Sequence, residues 1–215
     1  MSELADALER DAMALGLTLS PEQRDRLLAY LQLLLRWNAT YNLTAVRDAD
    51  AMRTQHLADC LAVVPALRRH VGDGVARLLD VGSGGGLPGV VLAVLMPSLD
   101  VTCVDTVGKK AAFVRQVAAE LRLPNLHAQH ARVEQMAGHF DVITARAFAT
   151  LADIVALTRG RLADRGVWLA MKGRRPDDEI SALPVDVDVF HVEPLSIPGL
   201  NAERCLVWMR RRDGA

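Results

Sequence analysis

The chain has 215 residues, of which 51% are apolar and 24% are charged, and its formal net charge is −1. This length favours one domain with a small addition, and the composition excludes a disordered chain. The longest apolar run, residues 87–96, is interrupted by Pro and Gly and is shorter than the roughly 20 residues of a membrane span. Since the acidic start also lacks the pattern of a secretory signal, we expect a soluble, cytoplasmic protein with no membrane partner.

The three cysteines, Cys60, Cys103 and Cys205, are scattered along the chain with no paired spacing. Such spacing indicates neither a disulfide framework nor a zinc site. We therefore expect free, buried thiols and no bound metal.

The first third of the chain has the apolar spacing of helices. Ser20, Pro21 and Gln23 form the pattern of an N-cap, a first helical residue and a capping box, which predicts a helix from about 21 to 38. We interpret residues 1–72 as a helical cap on the domain that follows.

After that region the pattern changes to short apolar segments separated by helix-length spacers. These segments are residues 77–81, 100–105, 125–129, 140–145 and 166–171. Such alternation predicts a mostly parallel, twisted sheet covered by helices on both faces. Residues 185–193 and 204–209 have only a loop between them, which predicts a C-terminal antiparallel hairpin. Residues 73–215 are thus expected to form one compact α/β unit with the cap.

The most informative stretch joins the first predicted strand to the next helix. Asp80, Gly82, Gly84 and Gly86 follow the pattern D-x-G-x-G-x-G, and glycines there let the backbone approach a ligand and adopt positive φ. Asp105 ends the next strand, 19 residues after Gly86. That spacing suits a carboxylate that accepts both hydroxyls of a ribose, and so predicts a nucleoside cofactor.

Two cofactors compete for this loop. Residues 84–89 also fit the dinucleotide pattern G-x-G-x-x-G, which leaves a nicotinamide-dependent oxidoreductase as an alternative. Asp80, two residues before Gly82, favours the pattern D-x-G-x-G-x-G instead. That pattern resembles motif I of Rossmann-like methyltransferases that use S-adenosylmethionine. In those enzymes, by resemblance, Asp80 organises the loop near the methionine end and Asp105 holds the ribose.

Further motifs extend the resemblance over almost the whole chain. They are Trp37-Asn38, Tyr41 to Thr44, His56 to Leu61, Leu87-Pro88-Gly89, Arg132-Val133-Glu134, Arg146-Ala147 and Met171-Lys172-Gly173. With them the chain resembles the RsmG family, also called glucose-inhibited division protein B. The resemblance implies a class I methyltransferase that transfers the methyl group of S-adenosylmethionine to N7 of a single guanine in bacterial 16S ribosomal RNA.

The same resemblance implies residue roles. It places Gly82, Leu87, Val133, Glu134 and Arg146 around the S-adenosylmethionine pocket. The chain departs from the family where Cys60 and Ala145 stand at positions that are usually Ser.

The absence of two sequence motifs is consistent with guanine N7 as the methyl acceptor. No Asp/Asn-Pro-Pro-aromatic motif follows the fourth predicted strand, and no Pro-Cys pair offers a nucleophile. Guanine N7 needs neither, because its in-plane lone pair is free, and alignment and desolvation would supply the rate without a general base. Arg146 then has a positioning role, pairing with the methionine carboxylate or donating to guanine O6.

RNA contacts are expected from local clusters of cations, since the whole chain is not basic. The candidates are Lys109, Lys110, Lys172, Arg174 and Arg175, which would contact phosphates of 16S ribosomal RNA or of the small ribosomal subunit particle. The sequence leaves open a methyltransferase for another RNA, a protein or a small molecule, and a noncatalytic binding module. A monomer is expected.

Overall fold

The computed structural model describes residues 2–72 and 74–212. The N-terminal region is helical, as predicted. Its elements are α1 (Ser2–Ala14), α2 (Pro21–Tyr41), α3 (Ala49–Met52), a π-helix (Arg53–Ala58), α4 (Asp59–Leu61) and α5 (Val63–Val71). The capping box is confirmed, because the Ser20 hydroxyl accepts from the Gln23 amide while the Gln23 side chain accepts from the Ser20 amide. Helix α2 runs three residues past the predicted end and stops at Asn42, whose backbone is left-handed.

Seven strands form one sheet. They are β1 (Ala76–Val81), β2 (Leu99–Asp105), β3 (Leu126–His130), β4 (Phe140–Arg146), β5 (Leu162–Lys172), β6 (Val187–Leu195) and β7 (Arg204–Arg211). The order is β3-β2-β1-β4-β5-β7-β6, in which the first five strands are parallel and β7 is antiparallel to both of its neighbours. The mostly parallel sheet with a C-terminal antiparallel hairpin is therefore confirmed.

Helices cover both faces of the sheet. The remaining α-helices are α6 (Gly89–Leu95), α7 (Gly108–Glu120), α8 (Leu151–Thr158) and α9 (Asp177–Ser181). Successive strand residues point to opposite faces, so Leu78 joins the apolar cluster with α2, α6 and α7, while Leu79 joins the cluster with α8. One core thus includes both the N-terminal helices and the sheet. The predicted boundary, between residues 72 and 73, and the chain ends at residues 1 and 213–215 lie outside the described residues.

The topology fixes where a ligand would bind. The chain moves outward from β1 to β3 and then returns to place β4 on the other side of β1. Ligands of open parallel sheets bind at such a reversal, beyond the carboxyl ends of the strands. The loops after β1 and β4 meet there. In the part of the chain that the structure describes, no helix is long and apolar enough to cross a membrane.

Candidate active site at the carboxyl edge of the sheet

The glycine loop after β1 is fastened to the end of β2. The amides of Gly82 and Ser83 donate to the Val104 carbonyl at 2.9 and 3.2 Å, and the Gly84 amide donates to Asp105 Oδ2 at 3.0 Å. Gly82 has a φ of 65°, and a Cβ on it would collide with the ring of Phe148. Glycine at position 82 is therefore required by both the backbone conformation and the neighbouring ring.

Beside this loop lies a cavity of about 380 Å³, called here the small cavity. Four of the predicted cofactor residues line it: Gly82, Asp105, Val133 and Glu134. Asp105 Oδ1 accepts from the Val107 amide at 2.8 Å, and Lys110 Nζ lies 3.7 Å from Asp105 Oδ2. Each carboxylate oxygen can accept more than one hydrogen bond, so Asp105 retains capacity for ribose hydroxyls.

The other residues predicted to bind the cofactor through the glycine loop do not line the small cavity. Asp80 is fully buried, and its Oδ2 accepts from the Gly89 amide at 2.8 Å, so it joins β1 to the start of α6. Burial raises the pKa of Asp80 to about 7. Gly84, Gly86 and Leu87 shape the loop without lining the small cavity. The cofactor role predicted for these four residues stays a prediction, as it does for the four that line the small cavity and for Arg146.

A second cavity of about 710 Å³, the large cavity, lies beyond β4 and β5. Its charged centre is the Asp59 carboxylate, whose side chain is 4% exposed. Asp59 Oδ2 lies 3.1 Å from Arg146 Nη1, and Asp59 Oδ1 accepts from Arg204 Nε at 3.0 Å. Although burial opposes its charge, Cys60 and Asp59 raise the pKa of Arg146 above its ordinary value, so its guanidinium is charged.

The π-helix contributes Gln55 and His56 to the wall of the large cavity. Its Gln55 carbonyl accepts from Arg146 Nη1 at 3.2 Å, and the ring of His56 also lines the large cavity. His56 Nε2 is 2.7 Å from the Thr44 hydroxyl, and Nδ1 is 3.0 Å from the Gln55 carbonyl. Burial, aided by the charge of Arg146, lowers the pKa of His56, which is therefore neutral at pH 7.

Sequence reasoning missed part of this cavity. Asp59 and His56 stand inside a quoted motif but received no role, and Arg204 and Phe148 were not singled out. Only the position of Phe148, two residues past the end of β4, offered a signal, because ligands gather at that edge. Arg204 approaches Asp59 from a strand 145 residues away in sequence, which no local pattern indicates.

The two cavities adjoin. Among the described residues, Ala147 and Phe148 are the ones that line both. Ala147 has a φ of 51°, in the left-handed region that side chains rarely adopt. Phe148 is 38% exposed.

The five predicted RNA-binding cations differ in their surroundings. Lys109 and Arg174 are exposed, and Arg175 pairs with Asp177 on the surface. Lys110 faces Asp105 in the small cavity. Lys172 lines the large cavity while its Nζ donates to Glu179 Oε2 at 2.7 Å and to the Ala149 carbonyl at 3.0 Å.

The small cavity fits the nucleoside part of S-adenosylmethionine. A carboxylate at the end of β2 suits the ribose, and apolar side chains such as Val133 suit a purine ring. Within residues 2–72 and 74–212 no cluster of three or more His, Cys, Asp or Glu side chains could hold a metal ion. The sheet order, the glycine loop and this cavity define a class I, Rossmann-like methyltransferase that uses S-adenosylmethionine.

Comparison with known proteins identifies the family of methyltransferases to which the chain belongs. The family model for rRNA small subunit methyltransferase G matches residues 23–207, so the chain belongs to that family, as the sequence predicted. It is 64% identical to the ribosomal RNA small subunit methyltransferase G of Leptothrix cholodnii, over 98% of this chain and 97% of that protein. It is 61% identical to the protein of that name from Acidovorax ebreus, over 97% and 96% of the two chains. This membership decides against an oxidoreductase.

Solved structures of lower identity share the fold. Magnesium protoporphyrin IX methyltransferase from Synechocystis, solved with bound S-adenosylmethionine, gives a TM-score of 0.61 at 15% identity, over 90% of this chain and 98% of that one. TrmN from Thermus thermophilus gives 0.57 at 16% identity, over 74% and 53%.

Proposed function

We propose that this protein transfers the methyl group of S-adenosylmethionine to N7 of a guanine in 16S ribosomal RNA. The observation that carries the proposal is the pair of adjoining cavities at the carboxyl edge of the sheet. One has the carboxylate and apolar wall that a nucleoside cofactor needs, and the other has the volume and the arginines that a flipped-out nucleotide needs.

Residues of the small cavity would hold the cofactor. Asp105 would accept the ribose hydroxyls, and Val133 and Glu134 would lie against the adenine. Asp80 would keep the glycine loop in shape through the Gly89 amide. When bound, S-adenosylmethionine would supply an electrophilic methyl group on its sulfonium, which an acceptor lone pair would take as the carbon–sulfur bond breaks and S-adenosylhomocysteine leaves.

Residues of the large cavity would orient the acceptor. Arg146 is held by Asp59 and the Gln55 carbonyl, and its remaining donors suit guanine O6 or the carboxylate of the cofactor. Both ring nitrogens of neutral His56 lie within hydrogen-bond distance of protein oxygens, so His56 is not free to remove a proton. This favours an acceptor atom such as N7, which carries no proton.

The proposal also covers the substrate, the oligomeric state and the compartment. Exposed Lys109 and Arg174 would contact phosphates, while Lys110, Lys172 and Arg175 would join them by exchanging their present carboxylate partners for phosphate. The protein would act as a monomer in the cytoplasm, where ribosomal RNA is found. Size-exclusion chromatography with light scattering tests the monomer.

Tritium transfer to small ribosomal subunits from cells that lack this protein tests the activity. The labelled RNA is digested and its nucleosides are identified by mass spectrometry. We expect label in 7-methylguanosine at a single site with the wild-type protein and with the surface variant Arg165→Ala, and almost none with Asp105→Asn. Label in another nucleoside would overturn the assignment of N7. Absence of transfer to subunits and to free ribosomal RNA, with cofactor binding intact, would overturn the assignment of RNA as the acceptor.

A further inference from the structure

We propose that Phe148 is a substrate-positioning residue whose ring leaves Gly82 and stacks on the acceptor guanine. This inference rests on the proposed function, because it assumes that the large cavity receives a base. It concerns a residue to which the sequence motifs assigned no role.

The first observation is the position of the ring. Phe148 lines both cavities, and its ring lies so close to Gly82 that a Cβ at that position would collide with it. The side chain thus stands between the two places where the proposed function puts the cofactor and the acceptor. In the proposal, the ring turns toward the large cavity when both ligands are bound.

The second observation is that the core does not need this ring. Phe148 is 38% exposed, whereas Leu151, three residues further on, is fully buried in the apolar cluster beneath α8. Aromatic side chains left at a nucleic-acid site commonly stack on unpaired bases. Rotation about its Cα–Cβ bond would carry the ring from Gly82 toward the large cavity, which it already lines.

The third observation is the backbone before the ring. Ala147 has a φ of 51° although it is not glycine, and such residues persist where the surrounding structure holds them, often at ligand sites. The side chain of Phe148, the next residue, lines both cavities. The chemistry of the product gives a further reason for an aromatic residue, because methylation at N7 makes the guanine ring cationic and cations are attracted to aromatic faces.

Three variants test the role of the ring. Phe148→Tyr keeps an aromatic face, Phe148→Leu keeps an apolar side chain without one, and Phe148→Trp adds a fluorescent reporter. We expect Phe148→Leu to lower kcat/KM for RNA about 10-fold, as lost base stacking does, with an unchanged Kd for S-adenosylhomocysteine by calorimetry. Phe148→Tyr is expected to stay within about 2-fold of wild type.

The tryptophan variant gives a readout independent of transfer. With S-adenosylhomocysteine bound, we expect 7-methylguanosine 5′-monophosphate to quench the tryptophan fluorescence of Phe148→Trp. The fluorescence of the wild-type protein, which comes from Trp37, Trp168 and Trp208, should not change. Absence of quenching in a variant with normal melting temperature would overturn the proposal. The proposal would also be overturned if weaker cofactor binding explained the whole loss of activity in Phe148→Leu. The ring would then only support the glycine loop. Failure of the wild-type protein to methylate guanine would instead contradict the proposed function.

Discussion

At the scale of single residues, the site depends on one buried carboxylate that serves two arginines. Asp59 lies on α4, Arg146 ends β4 and Arg204 begins β7, so the three come from separate elements. The side chains of Arg146 and Arg204 are 20% and 29% exposed, against 4% for Asp59. Removing the carboxylate would leave two cations facing each other with little solvent to screen them.

Replacement of Asp59 by Ala is therefore expected to affect both stability and transfer. We expect the free energy of unfolding to fall by roughly 3 kcal/mol, as is typical when one partner of a buried pair is removed, and kcat to fall at least about 10-fold because Arg146 loses its orientation. Urea denaturation and single-turnover transfer measure the two effects.

The matched control is Glu193→Ala, which removes the partner of Arg69, an arginine whose side chain is 62% exposed. Exposed pairs contribute only about 0–1 kcal/mol, so this variant should resemble wild type in both assays. Equal effects of the two substitutions would show that the Asp59 pairs have no special role.

At the scale of elements, the sequence was informative wherever a local signal decides the structure. The capping box placed the start of α2, and mainly apolar segments placed β1, β2 and β4, because a sheet covered on both faces buries most positions of its strands. Strand β5 begins at Leu162 and not at the predicted residue 166, since polar residues 164 and 165 interrupt its apolar run.

The π-helix had no such signal. Residues 53–58 have the composition of ordinary helix, and their wider turn is found where Arg53 pairs with Asp11 and Asp50, and where the Gln55 carbonyl meets Arg146. Asp11 and Arg146 are distant from this segment in sequence, so no local pattern indicates their contacts. The large cavity could not be predicted from the sequence for the same reason. The small cavity was predictable because its main residues follow strand ends in order.

The connection between β1 and α6 gives a prediction about pH. Burial raises the pKa of Asp80 to about 7, from 3.8 in an unfolded chain, although the Gly89 amide favours the charged form. The folded state therefore binds the proton more tightly, and Asp80 makes folding less favourable as the pH rises from about 4 to about 7, with no further change above.

Asp80→Asn should remove that dependence. We expect the difference in free energy of unfolding between the variant and wild type to shift in favour of the variant from about pH 4 to about pH 7 and to stay constant above. Urea denaturation across this range measures the difference, with Asp164→Asn on the exposed part of β5 as the control. A difference that stays constant with pH would show that Asp80 is ionised in the folded protein throughout.

At the scale of the whole molecule, the C-terminal hairpin and the N-terminal helices hold the site between them. Arg204 of β7 reaches Asp59, and Glu193 of β6 reaches Arg69 of α5. The Arg204–Asp59 pair and the common apolar core support the proposal that the cap and the sheet form one cooperative unit. The same urea experiments should then show a single transition by fluorescence and by circular dichroism.

The distribution of charge leads to a prediction about RNA. The net charge of −1 gives no general attraction to a polyanion, so phosphate binding depends on cations near the two cavities. Lys109 at the start of α7 and Arg174 after β5 are exposed at the carboxyl edge of the sheet, whereas exposed Arg165 lies near the start of β5, toward the opposite edge. Each phosphate contact that is lost should reduce the salt dependence of binding by about one unit of slope.

We therefore expect Lys109→Ala and Arg174→Ala each to weaken binding of 16S ribosomal RNA and to lower the slope of log K against log salt by about one. The control Arg165→Ala should leave the slope unchanged. Fluorescence anisotropy with a labelled RNA fragment at several KCl concentrations measures the slopes. If all three variants behave alike, the RNA does not lie over the carboxyl edge, and the large cavity would have to receive its base from another direction. If only the first two differ from wild type, the cations and the cavities belong to one RNA-binding surface.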